Sequence, residues 1–406
     1  MKYNSIDGGI CAPIGFKAAG VHAGIRKNKE KKDMSLIFSE KRAAAAAVYT
    51  QNLVKGAPIE VTKKHLKDGA AQAVIINSGN ANTCNANGIY IAEETSKLTA
   101  KSLGIDENDV IVASTGVIGQ PLYIEPFEKG IPMLKENLSE NGSKDAAEGI
   151  MTTDTKIKEV AVSFEIGGKE VRIGGIAKGS GMIHPNMATM LVFITTDCAV
   201  TGEMLELALK NDVKDSFNMI SIDGDTSTND MACVLANGMA QNEVISAEGE
   251  AFDKFCCALS AVTKHLCRCI AKDGEGATKL LECNVKGAYD TKNAKIIAKS
   301  VICSTLFKAA MFGKDANWGR ILCAVGYSGA ELNIDKIKVD LASENGEINV
   351  CTNGSGVDFD EDKALYILQP DEICINITLK DGDASATAWG CDLTYDYVKI
   401  NGDYRT

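Results

Sequence analysis

Twice in the N-terminal third of the chain, a short and wholly apolar run stops in a loop of small polar residues. Ala73-Val74-Ile75-Ile76 leads into Asn77-Ser78-Gly79-Asn80-Ala81-Asn82, and Val110-Ile111-Val112-Ala113 leads into Ser114-Thr115-Gly116. Continuous apolar runs of this length read as strands buried on both faces. Between them, Ile89 to Lys101 has helical spacing. A buried strand that ends in a small polar loop is the usual place for a binding site in an α/β protein. The repeated pattern confines the chain to a mixed α/β class, with mixed sheets packed between helices.

The rest of the chain fits that class. Met34 to Phe38, Val160 to Phe164, Glu170 to Ile176 and Leu191 to Thr195 read as strands. So do Leu322 to Val325, Ile337 to Val339, Ile348 to Cys351 and Ile373 to Leu379. Helices are expected over Met204 to Phe217 with a cap at Thr201, over Phe252 to Ile270, and over Ser304 to Phe312. Arg42 to Val48 holds five consecutive alanines. They suit a closely packed helix start or a strand against small neighbours, and intrinsic propensity favours the helix. The charged run Lys27 to Lys32 reads as a solvated loop.

Composition narrows the function. The 406 residues are 45% hydrophobic and 24% charged, enough for two or three ordered units. Forty-three basic against fifty-four acidic residues leave a net charge of −11, which disfavours a nucleic-acid partner. No stretch of 18 apolar residues suggests a membrane span, and the first residues carry no apolar signal core, so a cytoplasmic location is expected. Fourteen cysteines should be reduced there. Cys256-Cys257 and Cys267-x-Cys269 lie on a helical run and read as small hydrophobes rather than as a metal or redox site. With four histidines and no metal motif, no metal is expected. Phosphate-binding and dinucleotide-binding glycine loops are missing, and Gly326-Tyr327-Ser328-Gly329 is one residue short of a nucleophile elbow. Asp223, Asp225 and Asp230 fit no calcium loop, since Val234 stands where a glutamate is required. They read as part of a loop that orders a site.

The most informative stretch is Lys178-Gly179-Ser180-Gly181-Met182-Ile183-His184-Pro185-Asn186-Met187-Ala188-Thr189-Met190-Leu191. A glycine-flanked loop carries a lysine, a serine and a histidine, then passes through a threonine into an apolar strand. On spacing alone, Thr189 is either a β-former at a strand start or an N-terminal nucleophile. In the second case its hydroxyl attacks the carbonyl of Ala188, the backbone breaks through an ester, and the freed α-amine becomes the base. An α-amine has a pKa of about 7.7 to 8, so it serves near neutral pH without help from His184.

This stretch resembles the cleavage and active-site signature of the ornithine acetyltransferase family, the glutamate N-acetyltransferases of arginine biosynthesis. Four further stretches resemble the same family, in the family's order. They are Asn77 to Asn82, Ser114 to Gly119, Phe312 to Arg320, and the tail Cys391 to Thr406. The resemblance implies the self-cleaving N-terminal-nucleophile fold, which also has an aminopeptidase branch. It implies cleavage between Ala188 and Thr189 into an α chain 1–188 and a β chain 189–406. It further implies a smaller C-terminal subdomain near 280–385 and a tail 386–406 that returns to the site. Thr189 is then the nucleophile that takes acetyl from N2-acetyl-L-ornithine and passes it to L-glutamate. Thr115 and Gly116 match the oxyanion-hole pair. Thr152, Lys178, Glu275, Asn401 and Thr406 match substrate-binding positions. No cofactor is implied beyond acetyl-CoA as a co-substrate of bifunctional members, and no motif separates these from monofunctional ones. The two cleaved chains are expected to form an α2β2 heterotetramer. Two other classes stay open at this point. An amidohydrolase or aminopeptidase with the same nucleophile would pass the acyl group to water. A non-catalytic protein would remain one uncut chain.

Overall fold

The computed structural model describes residues 3–184 and 190–403. Its strands, in chain order, are β1 (Asn4–Ile6), β2 (Phe16–Val21), β3 (Met34–Tyr49), β4 (Ala70–Asn80), β5 (Val110–Val117), β6 (Lys158–Ile166), β7 (Lys169–Lys178), β8 (Leu191–Thr196), β9 (Ile220–Ser221), β10 (Met231–Ala236), β11 (Leu280–Ala288), β12 (Lys338–Ser343), β13 (Gly346–Thr352), β14 (Ser355–Gly356), β15 (Glu372–Thr378) and β16 (Ala384–Cys391). Nine of them form one sheet in the order β1-β6-β7-β8-β10-β3-β4-β5, with β2 also paired to β3. The pairs β8/β10 and β4/β5 are parallel and the others antiparallel. Seven form a second sheet, β14-β13-β12-β15-β11-β16-β9, again mixed. The fold is thus α/β, with mixed sheets and helices packed on them.

Apolar side chains explain the layering. The helix Glu250–Lys272 buries Phe255, Leu259, Val262, Leu266 and Ile270, one stripe at helical spacing. It packs on β6 and β7 of the first sheet and reaches β11 and β16 of the second, so a single core joins the two sheets. On the other face of the first sheet, the helix Ser143–Ile150 buries Ala146, Ala147 and Ile150. The helices Gly88–Leu103 and Glu125–Glu136 cover the β4–β5 end. Among the described residues no helix is long and apolar enough to cross a membrane.

Three elements differ from the sequence expectation. The alanine run Ala43–Ala47 is strand, inside β3. Ala44 to Val48 pair with β10 on one edge, and Ala43 and Ala44 pair with β4 on the other. Backbone pairing on both edges outweighs the few tenths of a kcal/mol per residue that alanine gains in a helix. The small side chains instead let the helix Gly202–Asp212 lie close on the strand. Leu322 to Val325 is helix, within Trp318–Gly326, where the Asn317 side chain accepts the Arg320 N–H as a cap. Ile321, Ala324 and Val325 face its core side at helical spacing. The helix after Thr201 ends at Asp212, and Phe217–Met219 forms a separate single turn.

Candidate active site

The two strand-loop patterns of the sequence meet at the ends of β4 and β5. The parallel register pairs Ser78 with Thr115 and Gly79 with Gly116, and a bulge follows at Asn80. Gly116 has φ of +133°, and a Cβ there would lie 2.3 Å from the Gly79 carbonyl carbon. Only glycine fits this crossing of two backbones. Asn229, just ahead of β10, ties the loop ends together. Its Nδ2 donates to the carbonyls of Ala81 (2.5 Å) and Ser114 (3.0 Å). Its Oδ1 accepts from the hydroxyls of Thr83 and Thr228, each at 2.6 Å.

Thr115 and Gly116 line a cavity of about 120 Å³ with Thr152, Lys178, Glu275 and Asn401. These six residues come from five separate parts of the chain. Thr152 lies past the helix Ser143–Ile150, Lys178 ends β7, Glu275 follows the helix Glu250–Lys272, and Asn401 sits on the helix Tyr395–Asp403. Asn401 Nδ2 donates to Glu275 Oε2 at 2.8 Å. A Cβ on Gly181 would lie 2.4 Å from the Glu275 carboxyl, so the carboxyl rests against bare backbone. Thr153, Ser227 and Thr228 add hydroxyls to the same wall. Of the residues named from sequence, Ala188, Thr189 and Thr406 lie outside the described residues. Met190 lines an annex of the cavity shared with Thr115, Lys178, Asn229 and Asp230. A roomier cleft of about 470 Å³, lined by Ile166, Val244 and Phe252, contains none of these residues.

The electrostatics of the wall are set by buried ions. Asp154 Oδ1 accepts from Lys158 Nζ at 2.7 Å and from the Gly179 N–H at 2.7 Å, while Oδ2 accepts the Thr152 N–H at 3.0 Å. Lys158 also donates to Asp273 at 2.5 Å. Burial pushes the Asp154 carboxyl up, but the ammonium groups of Lys158 and Lys178 more than offset it and hold it well below the usual carboxylate range. Lys178 itself is buried, and desolvation pushes its ammonium down against the pull of the Asp154, Asp230 and Glu275 carboxylates. A lysine so placed is more ready than a surface one to release a proton.

The glycine-flanked loop is held from outside. Asp223 accepts the N–H groups of Met182 (2.5 Å) and Ile183 (2.9 Å), and the Tyr397 hydroxyl bonds to it. The aspartate-rich segment therefore orders the site. Among the described residues no group of histidine, cysteine and acidic side chains is arranged to hold a metal. His184 contacts Ser221 Oγ at 3.1 Å, and burial pushes its ring down to about 4, so it is neutral at pH 7. Sequence reasoning missed Asn229 and Asp154. The signal for Asn229 was a polar run, Ser227 to Asp230, directly before an apolar strand.

The ArgJ family profile matches residues 17–406. The chain is similar to the arginine biosynthesis bifunctional protein ArgJ of Caldanaerobacter subterraneus subsp. tengcongensis, 53% identical over 402 residues and covering 99% of each chain. It is also similar to the protein of that name from Bacillus subtilis, 47% identical over 403 residues, covering 99% of this chain and 97% of the other. Among solved structures it is similar to the arginine biosynthesis bifunctional protein argJ of Bacillus halodurans. That match has 43% identity and a TM-score of 0.50, over 52% of this chain and 98% of that one.

Proposed function

The chain belongs to the ArgJ family and is an ornithine/glutamate acetyltransferase of arginine biosynthesis, and from that premise we propose how its cavity performs the transfer. The chain cuts itself between Ala188 and Thr189. The Thr189 hydroxyl, with its own α-amine as base, takes the acetyl group of N2-acetyl-L-ornithine as an ester and releases ornithine. L-Glutamate then enters the same cavity and removes the acetyl group. The observation that carries this reading is the gathering of Thr115, Gly116, Thr152, Lys178, Glu275 and Asn401 around one small cavity whose annex includes Met190, the chain neighbour of Thr189.

Each step asks something definite of these residues. The acetyl carbonyl passes through a tetrahedral oxyanion in both half-reactions, and the Thr115 hydroxyl and Gly116 N–H are donors of the right kind for it. One such donor is worth about 3 kcal/mol in transition-state stabilisation. Glu275, held by Asn401, offers a carboxylate to the ammonium of the amino-acid substrate. Lys178 balances the carboxylates of the site, and Thr152 positions substrate beside it. Thr406 belongs to the same set in this reading, and acetyl-CoA serves as an alternative donor without any resident cofactor. The reading places the α chain at 1–188 and the β chain at 189–406, with two of each in the assembly, in the cytoplasm.

Intact-mass measurement under denaturing conditions tests the reading. The wild type is expected to give fragments of 188 and 218 residues, the second beginning with Thr189, and Thr189→Ala a single chain. Acetyl transfer from acetylornithine should then appear only in the cut protein and accelerate with glutamate. An acyl-enzyme that turns over at the same rate without glutamate would mark a hydrolase instead. A single uncut species in both samples would remove the α-amine from the mechanism.

A further inference from the structure

β5 ends the first sheet, with β4 its one partner strand among the described residues. Alternate residues of such an edge strand turn their N–H and C=O groups away from the sheet, and these groups need partners. Side chains supply them. The His65 ring donates to the Val110 carbonyl at 2.8 Å. The Thr62 hydroxyl bonds both the Val112 carbonyl (2.8 Å) and the Val112 N–H (2.9 Å). Both residues belong to the helix Ala57–His65. Two residues further along β5, the Ser114 carbonyl accepts from Asn229 Nδ2 at 3.0 Å. Gly116 is the next residue of this series, and it lines the cavity. Asn229 thus takes the last outward carbonyl before the Thr115–Gly116 pair.

The Asn229 side chain has no freedom there. It is 6% exposed. Nδ2 meets two carbonyls and Oδ1 two hydroxyls, so both ends of the amide are spent and only one orientation fits. A Cβ on Gly56 would lie 2.4 Å from Nδ2, so the amide rests against bare backbone. Ala81, whose carbonyl shares Nδ2 with that of Ser114, donates its own N–H to the Val117 carbonyl at 2.9 Å. The crossing of Gly79 and Gly116 is therefore held on both sides. A peptide unit is planar, so fixing the Ser114 carbonyl also fixes the plane from which Thr115 departs. Charge matters as well. Ala81 lines the cavity, and an uncovered carbonyl there would turn its negative end toward a developing oxyanion. The Asn229 amide covers it.

We propose that Asn229 is the positioning residue for the oxyanion donors. It aims the Thr115 hydroxyl and the Gly116 N–H into the cavity, and it keeps the Ser114 and Ala81 carbonyls from opposing them. The inference rests on the reading of Thr115 and Gly116 above. Asn229 acts through those two residues, its own polar atoms being spent on the loops. Its effect therefore falls on the tetrahedral oxyanion of both half-reactions and leaves the binding of acetylornithine alone.

The test is a double-mutant cycle of Asn229→Ala with Thr115→Ala, read as kcat and KM for acetylornithine. Thr115→Ala alone is expected to lower kcat about a hundredfold, as the loss of one oxyanion donor does. Asn229→Ala should lower kcat about thirtyfold, with KM changed less than about threefold. Once Thr115 is alanine, the further loss from Asn229→Ala should shrink to less than about tenfold, because both substitutions act on one element. A loss that stays larger overturns the proposal, as does an unchanged kcat or a kcat that falls only with a raised KM. If Asn229→Ala does not fold, Thr83→Val takes its place. It removes one hydroxyl from Asn229 Oδ1 and should lower kcat about fivefold, a loss that shrinks to under about twofold in the Thr115→Ala background. A full loss there, or none in the single variant, overturns the proposal. If a variant of the cycle folds but stays uncut, the crystal structure of the Asn229 or Thr83 variant decides. Thr115 Oγ1 or the Gly116 nitrogen displaced by more than about 1 Å supports the proposal, and both in place overturn it. A Thr115→Ala enzyme as fast as the wild type would instead defeat the reading of Thr115, and this inference with it.

Discussion

At Asp154 one buried carboxylate serves donors from three segments: Lys158, the Gly179 N–H and the Thr152 N–H. Thr152 lines the cavity and Gly179 directly follows Lys178, which also lines it, so this side chain joins two pieces of its wall. Replacing it with asparagine leaves Lys158 and Lys178 buried with one carboxylate fewer. Breaking a buried pair in this way costs on the order of 3 kcal/mol. Asp154→Asn in the uncut Thr189→Ala background should lower urea stability by that amount at pH 7. The pH dependence has a definite sign. The folded carboxyl is held below its unfolded value of about 4, so its contribution is present above that pH and fades as pH falls through the folded value. The gap between variant and parent should therefore narrow in acid. A gap that stays constant to low pH would show that Asp154 acts by packing alone. The sequence pointed to Thr115, Gly116 and Lys178, which line the cavity, because they sit in short glycine-rich motifs. It hid Asn229 because the Thr83 hydroxyl and the Ala81 and Ser114 carbonyls that it binds are remote in sequence, and it hid Asp154 because the Gly179 N–H is, and no local pattern announces such partners.

At the scale of elements, apolar runs and caps were legible wherever local preference and tertiary setting agree. Phe252 to Ile270 lies within the helix Glu250–Lys272, and Val160 to Phe164 and Glu170 to Ile176 lie within β6 and β7. The alanine run was misread because its preference is helical while its neighbours are strands on both sides. Its small side chains serve the packing of the helix Gly202–Asp212, whose Leu205 and Leu209 share the core with Ala46. Ala46→Leu adds three carbons where the layers are closest. It should destabilise the uncut chain by about 1–3 kcal/mol in urea unfolding. An unchanged midpoint would mean that the helix can lift from the strand without loss. Leu322 to Val325 was misread for another reason: four apolar residues are too short to show a period, and Asn317 alone marks the helix start.

For the whole molecule, class and layering followed from the alternation of apolar runs with helical stretches, whereas strand order did not. Nothing in the residues of β8 and β10 says that they lie between β7 and β3. That order bears on the cleavage proposed before Thr189. β7 and β3 belong to residues before Thr189, and β8 and β10 to residues after it. On the proposed cut, the second fragment would contribute two adjacent strands to the middle of the first fragment's sheet, hydrogen-bonded on both outer edges. The connection between Lys178 and Leu191 joins antiparallel neighbours, so a break before Thr189 leaves the pairing of the described residues of β7 and β8 intact. It changes the molecularity of folding instead. The uncut Thr189→Ala chain should refold from urea with a half-time independent of concentration. The matured protein must bring two polypeptides together, and its refolding should slow and lose yield on dilution. The proposed cleavage would leave the native protein intact while making its recovery from unfolding a second-order event, so synthesis and folding would have to come before cutting.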